Sequence, residues 1–159
     1  MNIEATFKND TAGVIIFPPL LFICAITLGV AIGYIFPVAF LPFYIALIAG
    51  IVLLIIAIVL LRHSVKALAI HKTTVNPSGV TTAIVKSGIY KHSRNPIYIS
   101  FTLIYISVLI ITNAWWGFLL LVPLLIIVQK GIVEREEKYL TQKFGEEYLK
   151  YKSKVKRWL

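Results

Sequence analysis

The chain holds one cysteine, three histidines and seven acidic residues, and each shortage narrows what it can be. Cys24 lies inside an apolar run with no second thiol, so neither an intramolecular disulfide nor a cysteine-built metal site can form. The histidines, His63, His71 and His92, lack the close helical spacing of a paired ligand motif, which argues against a metal centre. No Asp or Glu occurs between Thr11 and Val133. What fills that gap is apolar. Hydrophobic residues make up 58% of the chain and the mean hydropathy is +0.85, above ordinary globular domains, in which about half of the residues are apolar. A soluble fold of 159 residues could not bury so much apolar surface, so the bilayer is the expected solvent and a single domain the expected organisation.

The net charge of +9 invites a nucleic-acid reading, but its distribution opposes one. Lys8 stands alone, six basic residues fall between Arg62 and Arg94, and nine between Lys130 and Arg157. Basic clusters beside apolar segments are what the positive-inside rule and attraction to anionic headgroups produce. The aromatic residues sit mostly within the apolar runs and are not interleaved with the basic ones, as a single-strand platform would need. Membrane lipids are the expected partners, not nucleic acid.

An all-α, polytopic membrane fold with about four transmembrane helices follows from the apolar runs. The first covers 14–36 and the second 43–61, joined by a short uncharged turn. Runs at 97–112 and 115–132 form a hairpin, with Trp115 and Trp116 placed to anchor its tip at the interface. The third run is short for a span, about 24 Å as a helix against a hydrocarbon core of about 30 Å. Glu4 and Asp10 before the first run, and its length, favour a retained span over a cleaved signal peptide. Four crossings return the chain to the side that holds the basic residues. The expected setting is a prokaryotic inner membrane with both termini cytoplasmic.

Outside the membrane, 71–96 is polar and rich in turn residues, and 133–159 reads as a helical tail. In that tail Val133, Leu140, Phe144, Tyr148 and Tyr151 form one stripe, with Gly145 as a potential break. Glu137 falls inside the stripe, Glu136 at its edge, and Arg135 points away. A carboxylate on a buried face needs a partner. Glu137 is therefore either a site residue or the anchor of an ion pair to a basic residue of 71–94 that docks the tail. The second cluster runs from Gly88 to Tyr98. Asn95 suits a helix N-cap and Pro96 a first helical position. Arg94 beside that helix start suits a bound carboxylate, or could snorkel to headgroups.

Taken in order, these elements resemble the isoprenylcysteine carboxyl methyltransferase and phospholipid N-methyltransferase group of membrane enzymes. The family pattern reads here as Thr73 to Pro77, Gly88-Ile-Tyr90, Arg94-Asn95-Pro96-Ile-Tyr98, Glu136-Glu137, and Phe144-Gly145-Glu146-Glu147-Tyr148-Leu149-Lys150-Tyr151. The resemblance covers about the C-terminal half. It implies S-adenosyl-L-methionine as cofactor, bound by the segment around Gly88, Tyr90, His92, Asn95, Pro96 and Tyr98 together with the paired glutamates. Arg94 or Asn95 would take the cofactor's carboxylate, Glu136 or Glu137 its ammonium, and Tyr90 and Tyr98 would help enclose it. Arg94 and Glu136 are the expected catalytic pair. Asn95 stands where the isoprenylcysteine branch usually has His.

The implied reaction is methyl transfer to a lipophilic or lipidated acceptor at the cytoplasmic leaflet, either a prenylcysteine-type carboxylate or a lipid amine. Two alternatives compete with it. Membrane sterol reductases look similar in their C-terminal region and use NADPH, but a dinucleotide asks for more phosphate-binding groups than this segment offers. A non-enzymatic lipid-binding adaptor would use the basic residues at 150–157, yet leaves the in-stripe glutamate unexplained.

Overall fold

The computed structural model describes residues 11–76 and 79–158. Among them the fold is all-helical, as the apolar runs require: α1 (Pro18–Ile35), α2 (Phe43–Ile70), α3 (Pro96–Ile111), α4 (Trp115–Val128), α5 (Glu134–Phe144) and α6 (Glu146–Lys154). α1 and α2 are long and apolar enough to cross a membrane, and so is the continuous helical stretch that begins with α4. α3 is shorter, at 16 residues. The apolar part of the α4 stretch ends at Val133, and from Glu134 it is charged and unsuited to a hydrocarbon core. α2 continues past Leu61 through Arg62, His63 and Lys66 to Ile70, so its last turns leave the apolar zone and reach the cavity described below.

Small residues let the helices approach closely, which matters where lipid gives no hydrophobic drive for helix association. Gly29 and Gly33 of α1 face the start of α4. A Cβ on Gly29 would lie 3.0 Å from the Gly117 Cα, and one on Gly33 2.9 Å from the Ala114 Cβ. The buried face of α2 consists of Ala46, Gly50, Ala57 and Ser64. It packs on α3, where Gly50 sits against Ser107 and Ile111.

The two hairpin tips lock together at one end. Asn113, in the left-handed region at φ +54, accepts from the Phe40 and Leu41 amides and donates to the Leu41 carbonyl at 2.8 Å. Trp116 Nε1 donates to the Phe36 carbonyl, while Trp115 packs on Phe40 and Phe118. At the opposite end the Ile15 amide reaches the Gly131 carbonyl, and Arg135 reaches the Gly13 carbonyl. Gly131 lies in a π-helical turn, Gln129–Val133, that joins α4 to α5. Such a turn inserts one residue and changes helix phase, often at functional sites. Gly145 (φ +52) then breaks α5 from α6, a backbone that favours glycine.

Candidate active site

The end of the bundle that gathers the charged segments holds a cavity of about 390 Å³, within the range of small-molecule sites. One wall is apolar, from Phe17, Pro18, Leu68, Ile97 and Phe101. The other is polar, from Tyr90, Arg94, Tyr98, Glu136 and Glu137.

Arg94 is fixed by backbone before its side chain is placed. Gly88, at φ +58, opens a 3-10 turn at Gly88–Lys91 that leads into it. The chain after α6 then folds back across this segment. The Arg94 amide donates to the Lys156 carbonyl at 3.0 Å, and the Arg157 carbonyl accepts from Ser93 Oγ at 3.2 Å and from Asn95 Nδ2 at 3.0 Å. The Arg94 side chain, 8% exposed, turns inward instead of snorkelling to headgroups. Its Nη2 pairs with Glu137 Oε1 at 3.0 Å. Its Nε and Nη1 are buried with no hydrogen-bond partner among the described residues. Buried guanidinium N–H groups left unpaired are costly, and most buried polar groups in native proteins have a partner.

The neighbouring glutamates differ sharply. Glu137 is 4% exposed, and Arg157 grips both its oxygens, Nε to Oε1 at 3.0 Å and Nη2 to Oε2 at 2.9 Å. Lys152 adds a third cation at 3.5 Å from Oε2. Burial opposes ionisation of Glu137, but the Arg157 hydrogen bonds and the Arg94, Arg157 and Lys152 charges prevail and hold its pKa below the usual carboxylate value. Glu136, one residue earlier, forms no ion pair among the described residues. It accepts from the Tyr98 hydroxyl at 2.6 Å. Burial is the main cause that pushes its carboxyl up to about 7; the Tyr98 bond partly offsets this and the Glu137 charge adds to it. Burial likewise raises the phenols of Tyr90 and Tyr148, and pushes Tyr151 up to about 12, so all three stay neutral near pH 7. The Tyr151 hydroxyl donates to the Tyr90 carbonyl at 2.8 Å, tying α6 to the 3-10 turn.

The structure thus gathers Tyr90, Arg94, Asn95, Pro96, Tyr98, Glu136 and Glu137 around one cavity. It does not bring Gly88 or His92 there: both are exposed, Gly88 serving the turn and His92 pointing away from the lining residues. Asn95 stands at the N-cap position of α3, but its side chain makes no cap and is drawn instead to the Arg157 carbonyl. Of the stretch from Thr73 to Pro77, Thr73 is buried and lines the cavity, while Pro77 lies outside the described residues. Tyr139 is buried although it falls off the expected stripe, because it accepts from the Thr81 amide of the loop it covers. Sequence reasoning also missed Arg157. Its signal was faint, a last Arg after a run of Lys and just before Trp158, which packs against the core.

The profile of the phospholipid methyltransferase family matches residues 45–147, a range that takes in all but the first two residues of α2, then α3 to α5, the Arg94 segment and both glutamates. An uncharacterized protein of Haemophilus influenzae is 40% identical over 62 residues, covering 35% of this chain and 98% of its own length. No solved structure matches the chain. With all-helical architecture, spans suited to a bilayer and a family match over most of its length, this chain belongs to the phospholipid methyltransferase family of membrane methyltransferases.

Proposed function

We propose that the chain transfers a methyl group from S-adenosyl-L-methionine to a lipophilic or lipid-borne acceptor, with the cofactor bound in the cavity beside Arg94. The observation that carries this reading is the pair of buried, unpartnered Arg94 donors, Nε and Nη1, in a cavity that also presents the Glu136 carboxyl. A guanidinium N–H suits a carboxylate, and a carboxylate suits a cationic centre. S-adenosylmethionine carries both charges on one small molecule. When bound, it supplies a methyl group on a sulfonium, activated toward a nucleophile without further protein chemistry. Arg94 is the one Lys or Arg among the described residues lining the cavity. That favours a ligand with a single anionic group over a dinucleotide with its phosphates.

The work left to the protein is orientation and charge complementarity. Arg94 holds the cofactor's carboxylate. Glu136, fixed by Tyr98, faces its cationic end, while Glu137 is occupied by its own cations and acts on the site through Arg94. Tyr90, Tyr148 and Tyr151 close the polar wall with neutral rings. The apolar wall of Phe17, Pro18 and Phe101 faces the bundle side and suits an acyl or prenyl chain, with the acceptor at the leaflet that bears the basic residues.

The test is transfer of a labelled methyl group from S-adenosylmethionine into a native lipid extract by the purified protein, with the labelled product identified. Label in the lipid fraction, lost in Arg94→Ala, is expected. Wild-type protein that leaves the lipid fraction unlabelled while binding reduced nicotinamide dinucleotide phosphate would contradict the reading.

A further inference from the structure

Arg157 lies ten residues beyond the end of the family match and does not line the main cavity. Its guanidinium sits behind Glu137, beside a second hollow lined by Glu134, Lys138 and Lys152. From there it controls how Glu137 is shared. The Arg157 fork takes Oε1 and Oε2 together, and Lys152 approaches Oε2. Arg94 is left with a contact through Nη2 alone to Oε1.

That division bears on the ligand. A two-pronged arginine–carboxylate pair is the strongest arrangement available to Arg94, because it would satisfy two N–H groups at once. With the fork position on Glu137 vacant, Arg94 would gain by adding Nε or Nη1 to its Nη2 contact with Glu137. That donor would then no longer be presented to a ligand.

We propose that Arg157 is a positioning residue: by holding both oxygens of Glu137, it keeps the buried Nε and Nη1 donors of Arg94 free for the carboxylate of the bound cofactor. This rests on the reading that S-adenosylmethionine occupies the cavity. The backbone around Arg157 gives the idea a clean test. Docking of this strand onto the Arg94 segment uses the Lys156 and Arg157 carbonyls, not the Arg157 side chain. Substitution of the side chain therefore leaves the strand's main tether in place.

The experiment is calorimetry on the detergent-purified full chain with two probes. S-adenosylhomocysteine carries the amino-acid group, whereas methylthioadenosine shares its adenosine and thioether but has no carboxylate. Arg157→Ala is expected to weaken S-adenosylhomocysteine by about tenfold, the scale of one charge-assisted contact, with methylthioadenosine affinity unchanged. Arg157→Lys keeps the charge without the fork and should show the same selective loss. In an Arg94→Ala background, Arg157→Ala should cost nothing further, because the two residues act in series. Equal losses for both probes would reduce Arg157 to a structural tether and overturn the proposal. Wild-type affinity for S-adenosylhomocysteine in Arg157→Ala would overturn it as well. Wild-type protein that binds neither probe would instead sink the cofactor reading and this inference with it.

Discussion

Burial alone makes a carboxylate hard to ionise, and Glu137 stays charged only because Arg94, Arg157 and Lys152 surround it. Glu136 has no such company, and its raised pKa makes it the titrating group of the site. The sign is fixed by burial: the neutral form is favoured, so Glu136 gains its charge only as pH rises through about 7. A cationic ligand needs the charged form. Affinity for S-adenosylhomocysteine, which carries an ammonium, should therefore fall below pH 7, by up to about tenfold per pH unit, and level off above it. Calorimetry between pH 5.5 and 8 would show this slope, and Glu136→Gln should be weaker and flat. A wild-type profile as flat as the variant's would remove Glu136 from the ligand's charge. The sequence showed Glu137 as out of place, through its position in an apolar stripe. Which of the two glutamates would be neutralised could not be read from it. That depends on Arg157, twenty residues away in the chain and adjacent in space only because the strand after α6 folds back.

Among the elements, the apolar runs were legible because a bilayer allows little besides helices, and the turn residues at 36–42 and 112–114 mark the hairpins. The π-helical turn at Gln129–Val133 was not, since nothing in that short stretch separates it from an α-helix by composition. Nor was the inward course of Val155 to Trp158, where a basic run suggested solvent or headgroups. α1 approaches α4 closely at Gly29 and Gly33, and its Phe22 packs into the core against Phe101. Gly29→Leu would drive a side chain into the Gly117 backbone and Leu109, and should cost about 1–3 kcal/mol or more through overpacking. Ile23→Leu, at a position 59% exposed on the same helix, should cost little. Thermal unfolding in detergent distinguishes them. Equal melting temperatures for the two variants would mean that α1 and α4 do not meet through these glycines.

At the scale of the whole molecule, the hairpin tips meet at one end and the site forms at the other, where three stretches far apart in sequence converge. The start of α1 supplies Phe17 and Pro18, the loop before α3 supplies Tyr90 and Arg94, and α5 with α6 supplies the glutamates and three tyrosines. None of these stretches could make the cavity alone. The bundle's role is to bring them to one edge of the apolar zone, where a charged cofactor and a lipid-borne acceptor can meet. The central claim is that the free N–H groups of Arg94 receive the cofactor's carboxylate there. Calorimetric titration of S-adenosylhomocysteine into wild-type protein and Arg94→Ala tests it most directly. Saturable binding by the wild type, weakened about tenfold to a hundredfold in the variant, is the predicted result. Equal affinity in both proteins would contradict it.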